Sequence, residues 1–202
     1  MSPRPRKASD EEIFAATTKV MSRLGPGQIT LADVAAEAGL TAGALVQRFG
    51  SKRALLLTLM EQYAGSAQQM FESLRRPAVS PLATIHAYAR CMAQMGDTPD
   101  ALAHHLAWLQ QDLTDPEFRK HMLVQAQGTR RELQRLVREA VSAGELVDTV
   151  RPATLVRAIE VTITGSLMTW AIYQEGSAAA WLRHDLNATL DPWRAAARKG
   201  SK

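Results

Sequence analysis

The side chains best suited to chemistry lie in one short segment, residues 42–48, which begins with small residues. Ala42 and Gly43 leave space at its start, and Thr41 and Gln47 supply hydrogen-bonding groups beside them. In a helix, N-terminal side chains in this arrangement can reach base edges on the floor of a major groove. Threonine and glutamine hydrogen-bond to bases or phosphates. The segment therefore predicts contact with DNA bases, with helix capping and a solvated surface as the simpler alternatives.

Phosphate-binding groups are expected beside this segment. Thr30 and Thr41 are candidate N-caps, so free backbone N–H groups and the positive ends of helices lie next to them. Arg48 and Lys52 flank the second helix and can straddle a nucleic-acid backbone, although solvated surface charges would look the same. A proline-containing N-terminal tail, residues 1–8, adds three more cations, Arg4, Arg6 and Lys7.

The distribution of charge agrees with an anionic partner. The 202-residue chain has 24 Lys and Arg against 20 Asp and Glu, a formal net charge of +4. Residues 1–53 contain eight of these cations and five of the acids, so this quarter of the chain has a net charge of +3. The remainder is nearly neutral. Most of the electrostatic attraction to an anion is expected near the N-terminus.

Other kinds of chemistry find little support. Cys91 is the one cysteine, which excludes an intramolecular disulfide and a Cys-x-x-Cys metal site. The five histidines form no H-x-x-x-H pair, and no phosphate-binding loop or Ser/His/Asp order is present. We therefore expect no metal, no cofactor, no catalytic residues and no enzymatic activity. No targeting signal or membrane span is predicted, which favours a cytoplasmic protein.

The elements that position these residues are all predicted to be helices. Apolar residues recur with helical period in almost every segment, and no segment of useful length has the period of a strand. Proline and glycine pairs mark the ends of the segments. The helices are expected at about 10–24, 31–38, 42–48, 52–75, 81–95, 99–113, 116–143, 152–176 and 177–190.

Residues 31–48 have the pattern of a helix-turn-helix. Leu31 and Val34 belong to the inner face of its first helix, and Leu45 and Phe49 to that of the second. Gly39 stands where the first helix needs a left-handed residue at its end. The combination predicts two short helices that pack together at a tight turn.

The first 55 residues resemble the DNA-binding domain of the TetR family of bacterial transcriptional regulators. Thr30, the run Val34–Thr41 and the run Val46–Lys52 carry the resemblance. Two positions depart from the family pattern: Val46 stands where tyrosine is frequent, and Arg48 where histidine is common. Arginine still reaches phosphate, whereas valine cannot make tyrosine's hydrogen bond. We expect altered contacts rather than a loss of DNA binding.

The resemblance implies an all-α chain of two domains. Residues 1–55 would form a three-helix DNA-binding domain, and residues 56–202 a six-helix domain for effector binding and dimerisation. The helix over 52–75 would link the two and act as a lever between effector and DNA. The implied function is that of a homodimeric repressor, released from a palindromic double-stranded DNA operator by a partly apolar small molecule.

Two groups of residues in the second domain are candidates for binding partners, and packing within the chain is the alternative for both. An adaptable apolar pocket needs methionine, aromatic and a few polar side chains; the candidates are Tyr88, Met92, His105, Trp108, Met122 and Gln125. The last two long helices are rich in apolar residues, and the resemblance implies that they form the dimer interface. The candidates there are Ile159, Ile163, Leu167, Trp170, Trp181, Leu182 and Leu186.

Two other functions remain open at this point. A constitutive or architectural DNA-binding protein would share the first 55 residues and bind no effector. An α-helical enzyme would need polar residues that converge in the second domain, and the sequence shows no such cluster.

Overall fold

The computed structural model describes residues 8–75, 79–94 and 96–195. Arg4, Arg6 and Lys7 of the predicted basic tail lie outside the described residues. The described part of the chain forms ten α-helices and one 3-10 turn, and its one β feature is an isolated bridge between Leu146 and Arg194. The prediction of an all-α fold with an N-terminal helix-turn-helix is confirmed.

The helices follow the proline and glycine boundaries of the sequence closely. In chain order they are α1 (Asp10–Met21), α2 (Leu31–Ala38), α3 (Ala42–Phe49), α4 (Lys52–Ala64), α5 (Ala67–Leu74), α6 (Pro81–Gln94), α7 (Pro99–Thr114), α8 (Pro116–Ser142), α9 (Pro152–Tyr173) and α10 (Ala178–Leu190). The 3-10 turn, Asp191–Trp193, follows α10 directly.

The chain divides into two compact units, and the first contains the helix-turn-helix. It consists of residues 1–65 together with residues 100–125, so most of α7 and the start of α8 fold with the N-terminal helices. Its core is predominantly apolar, and the fully buried Ile13, Ile29 and Leu45 lie in it. Trp108 and Phe118 belong to the same core. The first unit thus extends beyond the segment expected from the sequence.

Local capping fixes the ends of α1, α2 and α3. Ser9 and Glu12 form a reciprocal capping box at α1, as their spacing predicts. At the turn between α2 and α3, Gly39 has φ 66°, a left-handed conformation that glycine adopts without the steric cost that a Cβ brings. These short helices therefore have ends that are set by the local sequence, and their packing fixes the rest.

The single helix predicted over 52–75 is two helices in the structure. α4 ends at Ala64 and α5 begins at Ala67, and Gly65 and Ser66 separate them. Paired glycine and serine residues are a common cause of helix breaks, because glycine has low helix propensity and serine competes for backbone hydrogen bonds. The chain passes from the first compact unit to the second at this break.

The second unit consists of residues 66–99 and 126–202. Within it, α9 packs against α10, and α6 packs against α10. Its buried core includes Phe71, Leu133, Leu136 and Ile159. At Gly128 a Cβ atom would lie 2.9 Å from the Cβ of Ala67, so glycine allows α8 and α5 to approach closely.

The sequence predicts no membrane span, but the apolar helix α9 is a candidate for one. By length and composition it is sufficient to cross a membrane, with a mean hydropathy of 1.3 over its most apolar window. One face of α9 is nevertheless buried within the second unit, where Val156, Ile159 and Trp170 lie. Core helices of this kind meet the same criterion, so the finding is weak evidence for a membrane span.

Candidate nucleic-acid interface and effector region

The outward face of α3 is almost bare of side chains. Gly43, Val46, Gln47 and Gly50 follow the spacing of one helix face, and all four are exposed. Leu45 points the other way and is fully buried in the core of the first unit. The half-exposed Val46 and the exposed Gln47 are therefore the side chains that this face presents.

The two predicted cap residues do cap helices. The hydroxyl of Thr30 donates to Asp33 Oδ2 at 2.6 Å, and Asp33 also accepts from the Thr30 backbone N–H. These hydrogen bonds lower the pKa of the Asp33 carboxyl. Thr41 Oγ1 accepts from the backbone N–H of Ala44 at 3.2 Å. The starts of α2 and α3 are thus fixed locally, and the half-buried Ala42 follows the second cap.

Arg48 contacts the chain itself. Its guanidinium donates to the carbonyl oxygen of Ala8 at 2.6 Å and lies 2.7 Å from Asp10 Oδ1. It also lies 5.9 Å from the centroid of the Phe49 ring. These contacts connect the end of α3 to the start of α1, a structural role that the sequence pattern did not indicate.

Lys52 is also directed towards the chain. Its Nζ donates to the carbonyl oxygens of Pro26 and Ile29 at 3.2 and 3.0 Å. These carbonyls belong to the loop between α1 and α2, so the ammonium fixes that loop against the start of α4. The placement differs from the expectation that Lys52 points outward at a nucleic-acid backbone.

The other three cations of residues 8–53 are paired with carboxylates. Lys19 and Arg23 both pair with Glu37, which connects α1 with α2. Arg53 pairs with Asp115 at 2.8 Å and with Glu117 at 2.6 Å. All five Lys and Arg side chains of residues 8–53 thus have partners within the chain. The cations that give the N-terminal quarter its positive excess are those of residues 1–7.

The six predicted pocket residues do not all share one compact unit. His105, Trp108, Met122 and Gln125 belong to the first, whereas Tyr88 and Met92 belong to the second.

Trp108 is a core residue rather than a lining residue. Its ring is buried, and its indole N–H donates to the carbonyl oxygens of Met21 and Leu24 at 3.3 and 3.0 Å. These carbonyls lie at and just after the end of α1, so Trp108 connects α7 to the end of α1. The prediction for this residue is corrected: a buried aromatic ring with a satisfied N–H is the simpler assignment.

His105 lies on α7 and is exposed at its surface. Protein atoms around it still desolvate the imidazole, which lowers its pKa. Met122 and Gln125 are half-buried on α8.

Tyr88 lies in an apolar part of the second unit. Its ring stacks on Phe71 with a centroid distance of 4.9 Å, and its hydroxyl hydrogen-bonds to Thr129. Burial, assisted by the charge of Glu160, raises the pKa of the Tyr88 hydroxyl to about 12. The phenol therefore stays neutral and can donate a hydrogen bond. Met92 is half-buried on the same helix.

A surface cleft of about 470 Å³ lies elsewhere in the second unit. Ser80, His86, Glu145 and Arg194 are among its lining residues, and none of the predicted pocket residues is. Glu145 Oε2 there accepts from the backbone N–H of Leu82, which caps the start of α6. The cleft has a mixed polar and apolar lining and was not indicated by the sequence.

The predicted interface residues are largely buried within the chain. Ile159, Ile163, Leu167 and Trp170 form the inner face of α9, and Leu182 and Leu186 the inner face of α10. Trp181 is half-buried and stacks on Tyr173 with a centroid distance of 5.8 Å. The expectation for the six buried residues needs correction: packing of α9 on α10 already covers them.

A different face of α9 remains uncovered. Val161 is 66% exposed and Ile172 is 78% exposed, and exposed Met168 lies between them on the same side. Gly165, also exposed, falls in the same stripe and leaves room for a close approach. The inner and outer faces of α9 are both apolar. Sequence periodicity alone therefore could not show which face is buried within the chain and which is exposed.

In the part of the chain that the structure describes, no group of three or more His, Cys, Asp and Glu side chains is arranged to hold a metal ion.

The fold and the bare face of α3 define a structural class: an all-α chain with an N-terminal helix-turn-helix domain. Residues 13–59 match the family model of bacterial regulatory proteins, tetR family. The N-terminal segment is therefore similar to the TetR family, and the chain as a whole has the fold of TetR-family regulators. The resemblance seen in the sequence is confirmed.

Solved structures of similar fold cover almost the whole chain. The reduced form of E. coli NemR has a TM-score of 0.72 at 17% identity, over 93% of this chain and 99% of that one. SmeT, the repressor of the Stenotrophomonas maltophilia multidrug efflux pump SmeDEF, has 0.65 at 18% identity, over 95% and 93%. Bacillus subtilis FadR in complex with stearoyl-CoA has 0.63 at 20% identity, over 90% and 97%. No curated protein matches the sequence.

Proposed function

We propose that the protein is a homodimeric repressor that releases a palindromic DNA operator when a small molecule binds to its second unit. The observation that carries the proposal is the outward face of α3. It is the second helix of a helix-turn-helix, its bulky residue Leu45 is turned inward, and its outward face presents Val46 and Gln47 between two glycines. Such a helix fits the major groove.

The exposed stripe of α9 supports a dimer. Val161, Met168 and Ile172 present apolar side chains that a single chain leaves in water, and Gly165 allows close helix approach. A stripe on one helix can meet its own copy across a two-fold axis. Two-fold symmetry in the protein then implies two half-sites about one helical turn apart, roughly 34–36 Å.

The proposed effector is partly apolar and binds in the region of Tyr88 and Met92. The neutral Tyr88 hydroxyl supplies a hydrogen bond, and Phe71 and Met92 supply apolar and polarisable contacts. The solved structure of Bacillus subtilis FadR with stearoyl-CoA shows that this fold accommodates an acyl ligand, and SmeT is a repressor of an efflux pump. The effector lowers DNA affinity by its preference for a protein state that binds DNA poorly.

The proposed action on DNA is in the cytoplasm and needs no catalytic residue. Arg48, Lys52 and Thr30 each have a hydrogen-bond partner within the chain. Thr30 and Thr41 contribute to DNA binding chiefly through the helix N-termini that they cap, whose N–H groups suit phosphate oxygens.

The test is selection of duplexes from a random-sequence library by the purified protein. The proposal predicts enrichment of one inverted repeat whose half-sites lie about 10 base pairs apart from centre to centre. A library of apolar carboxylates, acyl thioesters and aromatic compounds is then screened for release of that duplex. An enriched motif without two-fold symmetry would contradict the dimeric arrangement. Tight binding of a compound with unchanged DNA affinity would contradict its role as an effector.

A further inference from the structure

Base reading by α3 is confined to very few side chains. On this face Gly43 and the C-cap residue Gly50 have no side chain beyond hydrogen, and the neighbouring Arg48 is held by Ala8 and Asp10. Val46 and Gln47 remain. This inference rests on the proposed function, because it assigns these two residues to particular bases of the operator.

Val46 is an apolar side chain that the fold leaves in water. It is 50% exposed, although the neighbouring Leu45 is fully buried. The half of the Val46 side chain that stays in water would gain hydrophobic free energy from a partner that covers it. In a major groove the one apolar group on a base edge is the C5-methyl of thymine, and apolar side chains contact it.

Gly43 provides the second observation. A Cβ at this position would meet only Thr41 Oγ1, at 4.0 Å, so nothing in the chain itself requires glycine there. Glycine within a helix is less favourable than alanine because it loses more conformational freedom on folding. A cost without a compensating contact in the chain is consistent with a partner that approaches the backbone closely, as the floor of a groove does.

Gln47 completes the face. Its exposed amide has a donor and an acceptor side by side, and in the major groove adenine presents N7 as acceptor and N6–H as donor. From Val46, Gly43 and Gln47 together we infer that each half-site contains an A·T-rich core. In it Val46 contacts a thymine methyl, Gln47 pairs with an adenine, and Gly43 lets the helix sit close enough for both.

The experiment uses full-length protein and a duplex that it has selected from a random library. Each thymine is replaced singly by deoxyuridine, which removes only the methyl group, and affinity is measured by fluorescence anisotropy. Loss of one buried methyl contact is expected to weaken binding about three- to fourfold per half-site. The sensitive thymine should become insensitive in Val46→Ala, the pattern of a double-mutant cycle. Val124→Ala, an exposed valine on α8, serves as the matched control and should leave the sensitivity intact.

Two further measurements test the other parts. Replacement of the partner adenine by 7-deazaadenine, which lacks the N7 acceptor, should weaken binding about fivefold or more in the wild type and not in Gln47→Ala. Gly43→Ala should raise the Tm and weaken DNA binding at the same time. If Gly43 had only a structural role, Gly43→Ala would lower the Tm and the DNA affinity together.

The outcomes separate this inference from the function on which it rests. If the protein enriches no duplex, DNA binding and base assignment fail together. If it enriches a duplex whose affinity is the same with uracil in place of every thymine, the assignment of Val46 is overturned and the proposed function stands. Equal deoxyuridine effects in wild type and Val46→Ala would overturn the assignment as well.

Discussion

Lys52 shows how a residue of the expected type can have an unexpected partner. Its ammonium donates to two backbone carbonyls, those of Pro26 and Ile29, and so satisfies acceptors of a loop that has no regular structure. Hydrogen bonds from a charged donor contribute more than neutral ones. The residue therefore fixes the loop between α1 and α2 against the start of α4.

Lys52→Met is predicted to lower the free energy of unfolding by about 1–3 kcal/mol, because it keeps the apolar stem and removes the donor. Chemical denaturation measures the change. Lys19→Met is the control: this exposed lysine pairs with Glu37 on the surface, and its loss should cost less than about 0.5 kcal/mol. Equal stability of Lys52→Met and wild type would show that the two carbonyl contacts do not hold the loop.

Asp112 makes the first unit sensitive to pH. This half-buried carboxyl on α7 has a pKa raised from 3.8 to about 6, first by desolvation and then by the charge of Asp115. The folded state therefore binds a proton more tightly than the unfolded state. The contribution of Asp112 to stability is present below about pH 4 and is lost as pH rises through about 6.

Asp112→Asn is predicted to be more stable than wild type at pH 7.5, by roughly 1 kcal/mol once partial exposure is taken into account. The difference should shrink steadily between pH 6 and pH 4.5, since the wild-type carboxyl becomes neutral there. Denaturant titrations at several pH values measure it. A difference that stays constant with pH would mean that the Asp112 carboxyl is not desolvated in the folded protein.

At the scale of elements, the helices were largely predictable and their faces were not. Caps such as Ser9 with Glu12 and the left-handed Gly39 are local signals, so helix starts and the helix-turn-helix could be read from sequence. The break at Gly65 and Ser66 escaped prediction because the apolar stripe continues across it. Periodicity reports that a side is apolar and not which neighbour covers it.

The candidate sites were predictable where a local pattern determines the surface, and not where distant parts of the chain meet. Thr41, Gly43 and Gln47 were found because a helix-turn-helix has a fixed relation between sequence and surface. The charges of Arg48 and Lys52 suggest phosphate contacts. Charge alone does not show where a side chain points, so their partners within the chain could not be predicted. Trp108 was assigned to a pocket, whereas long-range packing places it in the core with its N–H on the end of α1. Contacts that connect distant parts of the chain have no local signal.

The exposed stripe of α9 yields a prediction for assembly. Met168→Lys places a charge in the middle of the stripe and should convert the dimer to a monomer at micromolar concentration, because a charge buried at an interface without a partner is costly. Light scattering coupled to size-exclusion chromatography measures the mass. Leu123→Lys, at an exposed leucine of α8, is the control and should keep the wild-type mass. A dimeric Met168→Lys would place the interface elsewhere.

At the scale of the whole molecule, the positive charge available to DNA is concentrated at the N-terminus. The five cations of residues 8–53 are engaged within the chain, whereas Arg4, Arg6 and Lys7 account for the +3 excess of the first quarter. Each phosphate contact steepens the salt dependence of binding by about 0.9 in the double-logarithmic slope. The tail is thus expected to supply much of that slope.

Replacement of Arg4, Arg6 and Lys7 by alanine is predicted to flatten the slope by about 0.9 for each lost phosphate contact and to preserve the sequence preference. Anisotropy titrations at four salt concentrations give the slope. The charge-matched control replaces Arg198, Lys199 and Lys202 at the other end of the chain and should leave the slope near that of wild type. Indistinguishable slopes for tail variant and wild type would exclude these cations from the interface.

In the proposed function, two copies of α3 read two half-sites on one face of the DNA. The most direct measurement compares the affinity of the selected duplex with that of the same duplex carrying five extra base pairs between its half-sites. Half a helical turn moves the second half-site to the opposite face of the DNA, so we expect the affinity to fall by about 100-fold or more. Affinity unchanged by the insertion would contradict it.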